Sequence, residues 1–311
     1  MTSSREVLAG KAVVVGFDAS DESTAATTWA AREAEARGRP LVVVRAFEWQ
    51  WPPMPVPTPA AVSVLPDDGG QVRSAVQAQL DRGVAEIRRA NPGVDVGAVV
   101  TDGHPALALA TVADEIDAEL VVIGASGAGA VERALLGSTA SELVRTTHRP
   151  AVVVRGTARR SAAERVVVGI DGTPTSRRAM GFALDFAARH GYRVGVVHAW
   201  TDSLLDPVLE PVLSGPGGEG GLRATADALV SSQLADWRDR YPEVPVDRLE
   251  PEGRPADVLL AQAEDAALLV VGSHGRGPVR RAVLGSVSHQ VLQRAGCPVA
   301  VLRELDNSGR P

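Results

Sequence analysis

Val13-Val-Val-Gly-Phe-Asp18 and Val166-Val-Val-Gly-Ile-Asp171 lie half a chain apart and read almost alike, with Ser23 and Ser176 at the same offset behind them. Each is a short β-branched run closing on glycine and then aspartate, the pattern of a buried strand running into a loop. Further matches extend the likeness through both halves. Gly103-His-Pro105 answers Gly253-Arg-Pro255, and Val121-Val-Ile-Gly124 answers Leu269-Val-Val-Gly272. Arg149-Pro-Ala-Val-Val-Val-Arg155 answers Cys297-Pro-Val-Ala-Val-Leu-Arg303. A repeat of about 150 residues is too long for a solenoid unit and right for a complete domain. The polar stretch 156–164 lacks apolar periodicity, so domains are expected over 1–156 and 163–305.

In each half, β-branched runs alternate with longer helical patterns, which calls for βαβ units and a parallel sheet buried on both faces. Strands are expected at 12–18, 41–47, 94–100, 119–124 and 150–155, and again at 165–171, 192–200, 244–250, 267–272 and 298–303. The fold class is α/β: two tandem doubly wound, Rossmann-like domains with five parallel strands each. Asp21 or Ser23 is expected to cap the helix ending at Arg37, and Pro174 or Ser176 to open the one ending at His190, with Gly38 and Gly191 closing them. Residues 49–59 carry five prolines and read as a long loop after the second strand, as does the Pro- and Gly-rich 202–221.

The chain has 311 residues, 45% of them apolar and 23% charged, the proportions of an ordinary globular protein. A net charge of -6 gives no footprint for nucleic acid, and no apolar run is long enough for a membrane span, so a cytoplasmic protein is expected. The single Cys297 excludes an internal disulfide, and the six histidines show no zinc spacing.

Gly124-Ala-Ser-Gly127, nine residues and then Gly137-Ser138 recurs as Gly272-Ser-His-Gly275, nine residues and then Gly285-Ser286. Each first glycine closes a predicted strand, so the loop lies at the carboxyl edge of the sheet, where open α/β folds hold ligands. Small residues there let backbone N–H groups approach a phosphate, and the following helix N-terminus favours an anion. A P-loop is excluded, because the only lysine, Lys11, is followed by Ala12. No G-x-G-x-x-G stands at either loop, which argues against a dinucleotide fingerprint.

This doubled G-x2-G-x9-G-S/T pattern resembles the ATP-binding subclass of the universal stress protein family, in tandem form. The resemblance implies one ATP site per domain. It places ribose and adenine contacts at Asp18 and Asp171, and backbone reading of adenine at Ala46 and Ala199; His198 before Ala199 keeps the family pattern, and Arg45 departs from it. Phosphate contacts fall on Gly124, Gly127, Gly137 and Ser138 with Ser141 beyond, and on Gly272, Gly275, Gly285 and Ser286 with Ser288 beyond. Mg2+ bridging the phosphates is implied by the preference of hard cations for oxygen. Arg276, with Arg280 and Arg281, stands where the first copy has Ala128, Glu132 and Arg133, so the second site is expected to hold ATP more tightly. The resemblance also implies that the last strands, 150–155 and 298–303, pair within the chain; a further homodimer is left open.

No nucleophile–base pair, carboxylate pair or triad is legible, so a nucleotide-dependent stress-response sensor is expected before an enzyme. The rivals are a slow Mg2+-dependent ATPase or adenylyl-transfer enzyme, a nucleotide-free interaction module and, third, a flavin or dinucleotide binder. Asp18 and Asp171 also suit helix capping, and Cys297, before Pro298 and a strand, reads as a buried structural residue. His148, His190 and His289 read as surface or satisfied positions on helices. Trp49 and Trp51 suit either a lid over the base or a dock on the domain's own surface.

Overall fold

The computed structural model describes residues 11–48, 68–127, 136–156, 164–199, 228, 230–235, 237–249, 251–275 and 284–304. They divide into two compact units, the first running to Arg149 and the second from Pro150, with Leu136 counted in the second. The first carries β1 (Val13–Gly16), α1 (Asp21–Arg37), β2 (Leu41–Phe47), α2 (Asp68–Ala90), β3 (Val96–Asp102), α3 (Pro105–Glu115), β4 (Leu120–Gly124) and α4 (Ser138–Thr146). Next come β5 (Ala151–Val154), β6 (Arg165–Gly169), α5 (Pro174–His190) and β7 (Arg193–Val197). The helix α6 follows, described at 228, 230–235 and 237–238, then β8 (Val246–Leu249), α7 (Pro255–Gln262), β9 (Leu268–Gly272), α8 (Ser286–Arg294) and β10 (Val299–Leu302).

In the first unit the strand order is β3-β2-β1-β4, all parallel. In the second it is β5-β10-β9-β6-β7-β8, parallel throughout except that β5 runs antiparallel to β10. The first repeat's fifth strand therefore counts with the second unit, registered as Val299 on Val153, Ala300 on Val152 and Val301 on Ala151. β1, β4, β5 and β10 are buried at every position, as valine-rich strands covered on both faces must be. The order turns back on itself at β1–β4 and at β6–β9. Those two switch points open a crevice at the carboxyl edge, which is where each site lies.

The first helices show why the loops after β1 and β6 end in aspartate. The N-caps are Ser20 and Thr173, whose side chains accept from the N–H groups of Ser23 and Ser176 at 3.1 and 3.2 Å. Of the sequence-based expectations, Pro174 does open α5 as its first residue, whereas Asp21 and Ser23 lie within the first turn of α1 instead of capping it. Asp18 and Asp171 act one step upstream. Asp18 Oδ1 accepts from Ser20 N–H at 3.0 Å and from its hydroxyl at 2.5 Å, and Asp171 Oδ1 accepts from the same two groups of Thr173 at 3.0 and 2.6 Å. Each carboxylate thereby fixes the residue that caps the helix. Gly38 and Gly191 close these helices in the left-handed region, at φ 59° and 69°.

Between Asp and cap, the chain turns through a positive φ at Ala19 (65°) and at the equivalent Gly172 (87°). Alanine is strained there and glycine is not. Ala19→Gly is therefore expected to raise stability by about 0.5 kcal/mol, the strain relieved outweighing the added freedom of the unfolded chain. A lowered denaturation midpoint in urea would refute this.

Cys297 is buried before β10, and desolvation pushes its thiol up from 9.0 to about 11. The native thiol is then almost wholly protonated at pH 8, and a thiol reagent is expected to label it only as fast as the chain opens. Above pH 9 the unfolded thiol ionises while the native one does not, so stability is expected to fall as pH rises from 9 towards about 11. Of the histidines read as helical, His190 and His289 lie on α5 and α8. His148 lies beyond the end of α4 in a bend, because α4 stops at Thr146.

Candidate functional site

The first cavity, of about 520 Å³, opens at the β1–β4 switch point, and the second, of about 350 Å³, at β6–β9. Both volumes are in the range of small-molecule sites. Asp18, Ala46, Gly124, Gly127, Gly137 and Ser138 all line the first; Asp171, Ala199, Gly272, Gly275, Gly285, Ser286 and Ser288 all line the second. Ser141 does not line its cavity, and Arg276 lies outside the described residues, as do Ala128, Glu132, Arg133, Arg280, Arg281, Trp49 and Trp51. Ser141 and Ser288 are not equivalent: counted from Gly137 and Gly285, Ser288 stands where the first copy has Ala140, and Ser141 where the second has His289. Ser288 is buried and its hydroxyl donates to Gly272 O at 2.5 Å, bracing the end of β9.

The glycines of the motif do different jobs. A Cβ on Gly124 would meet the backbone of Glu22 at 2.9 Å, and one on Gly272 would meet Thr175 Oγ1 at 3.0 Å, so these residues let the first helix of each repeat close on the strand end. Gly127 and Gly275 face the carboxylates: a Cβ there would lie 2.8 Å from Asp18 Oδ2 and 3.1 Å from Asp171 Oδ2. Gly137 and Gly285 spend their own N–H groups on Ala125 O (2.7 Å) and Ser273 O (2.8 Å), folding the helix start back onto the loop. They are also the N-caps of α4 and α8, and neither helix has a side-chain cap bond. In α1 and α5 a hydroxyl meets the first orphan N–H groups. In α4 and α8 no side chain among the described residues does, and the first-turn residues Ser138 and Thr139, or Ser286 and Val287, line the cavities. Such a helix start is suited to an anionic ligand.

Arg45, which departs from the expected histidine, takes over a histidine's bond. Its Nη1 donates to Phe17 O at 3.4 Å, and His198 Nδ1 lies 2.9 Å from the equivalent Ile170 O. Either side chain thus secures the carbonyl just before the aspartate. The Gly-x-Pro matches also find their place. Gly103 and Gly253 turn at φ 110° and 143°, so that Pro105 and Pro255 open α3 and α7. Leu109 and Leu259 then close over Gly16 and Gly169, where a Cβ would come within 2.9 and 3.0 Å, and all four leucine and proline residues join the cavity walls. That apolar wall was not read from the sequence, although the repeated Gly-x-Pro marked it.

The model of the universal stress protein family matches residues 10–155 and again 163–303. The chain belongs to the universal stress protein family. A universal stress protein of Mycobacterium tuberculosis is 38% identical over 297 residues, covering 94% of this chain and 97% of that protein. One from Mycolicibacterium smegmatis is 36% identical over 293 residues, covering 94% and 96%. Among solved structures, a universal stress protein from Archaeoglobus fulgidus matches with a TM-score of 0.65 at 17% identity, over 97% of this chain and 99% of that one. The structural likeness carries the fold, and the family matches carry the tandem organisation. Among the described residues of this universal stress protein no helix is long and apolar enough to cross a membrane, and no three His, Cys, Asp or Glu side chains gather as a metal site.

Proposed function

We propose that this tandem universal stress protein binds ATP, one molecule in each repeat, and acts as a nucleotide-dependent regulator in the cytoplasmic stress response. The observation that carries the reading is the pair of glycine-capped helix starts, Gly137-Ser138 and Gly285-Ser286, with no side-chain cap bond among the described residues, each beside a glycine loop on a cavity of nucleotide size. Backbone N–H groups and hydroxyls there suit phosphate, and the apolar wall around Leu109 or Leu259 suits a base. Aspartates 18 and 171 stand on the same walls as hydroxyl acceptors for a ribose, each with Oδ1 already fixed by the capping residue. Mg2+ in such a site is carried chiefly by the phosphate oxygens of the nucleotide itself.

The polar groups described on the cavity walls suit holding an anion, and regulation is proposed over fast catalysis on that ground. The test is to purify the protein, denature it, and identify and count the released nucleotide, adding MgATP if none is carried through purification. About two ATP per chain are expected from two sites of this kind. No nucleotide released and none taken up would overturn the reading. Phosphate release from MgATP is expected to stay below about one per minute, against the ~1–10³ per second of ordinary enzymes, and rapid turnover would replace the regulator by an ATPase.

A further inference from the structure

We propose that β5, the last strand of the first repeat, is a working part of the second repeat's site, with Arg155 as its positioning residue. This rests on the nucleotide-binding reading above. Two paths of hydrogen bonds run from β5 to the two halves of the second phosphate cradle. Along the first, β5 pairs with β10 from Val153–Val299 to Ala151–Val301, and β10 in turn presents Leu302 O to Ser273 N–H at 2.7 Å. Ser273 lies inside the loop Gly272-Ser-His-Gly275, so the ladder with β5 steadies the strand that fixes this loop. Along the second, Arg155 Nη2 donates to Leu292 O at 3.0 Å.

Leu292 lies in the last turn of α8, whose first turn lines the second cavity. The last carbonyls of a helix lack partners within it, and a cation there complements the dipole whose positive end faces the ligand. α8 has only nine residues, so its anchored end is little more than two turns from the cradle. Loop and helix, the two parts of one site, are thus fixed from a single strand that the sequence assigns to the other repeat.

The experiment uses the full chain. Arg155→Gln and Arg155→Lys are each placed in a Gly127→Ala background, where MgATP titration reads the second site, and in a Gly275→Ala background, where it reads the first. Arg155→Gln is expected to weaken the second site about fivefold and leave the first unchanged, and Arg155→Lys, which keeps the charge, to stay within about twofold of the parent. Hydrogen exchange without nucleotide is measured alongside: Arg155→Gln is expected to speed exchange in 286–294 and leave 138–146 unaltered. Equal weakening of both sites, or unchanged exchange in 286–294, would overturn the proposal. If neither background binds MgATP but exchange in 286–294 alone rises, the ATP reading fails while the anchoring of the cradle by Arg155 stands.

Discussion

Gly127→Ala is expected to remove the nucleotide from the first site, lowering the ATP released on denaturation by about one per chain, because the new methyl group occupies the space of close backbone approach. The added Cβ would lie 2.8 Å from Asp18 Oδ2. That oxygen has little room to retreat, since Oδ1 of the same carboxylate is held by the N–H and hydroxyl of Ser20. Relief of the clash must turn the carboxylate, disturbing both a ligand-facing group and the cap of α1. A binding loss of at least about tenfold, ~1.4 kcal/mol, is expected together with a stability loss of about 1 kcal/mol from the disturbed cap. Gly275→Ala, whose Cβ would lie 3.1 Å from Asp171 Oδ2, is expected to cost the second site at least about tenfold in the same way. Two nucleotides still bound to Gly127→Ala would show that the first glycine loop is not part of the site.

The second large effect is expected from Glu33→Ala. Glu33 is only 2% exposed, and its Oε1 accepts from Arg37 Nε at 2.5 Å, with the Arg37 side chain 6% exposed. Arg37 also reaches Glu119 at 3.5 Å, and Glu119 receives Arg39 at 2.8 Å. Truncating Glu33 takes the short ion pair away from a buried guanidinium, for which about 3 kcal/mol is expected, the low end for breaking a buried pair. In thermal unfolding this amounts to roughly 6–12 °C for a domain of this size. In the second repeat the same two positions are Phe186 and His190, whose rings lie tilted at 36° to each other with centroids 4.3 Å apart. Replacing both residues, Glu33→Phe with Arg37→His, is therefore expected to cost less than Glu33→Ala alone, because no charge is left behind. A double variant less stable than the single one would refute that comparison.

The strands were legible because valine-rich runs such as Leu120–Gly124 carry little that could belong to another element, and the doubling of each run removed the helix–strand ambiguity that short apolar segments usually leave. Where the edges moved, turns were the cause. β3 begins at Val96, two residues later than expected, because the turn after Asn91 carries on through Val94, a residue apolar and buried like a strand residue. Val244 misleads in the same way before β8. The glycine motif was visible by spacing, yet its division of labour was not. Spacing alone does not reveal that Gly124 admits Glu22 while Gly127 faces Asp18. Arg45 read as a departure because arginine and histidine share little in sequence, and only the fold shows both side chains meeting the same carbonyl. The family resemblance puts Ser141 and Ser288 in one role; the helix phase separates them.

The lateral ladder on β10 bears on how this chain tolerates being cut. The segment 157–163 joins the repeats and invites cleavage as a way to obtain each half alone. A fragment beginning there would leave β5 behind and bare the valine-rich rim Val299–Leu302, which is fully buried in the intact chain. Uncovered rims of that composition recruit strands from neighbouring molecules, so such a fragment is prone to clump or to pair with itself. A second half that begins at Arg149 keeps its own guard strand, and the natural seam for dissecting this protein lies before β5.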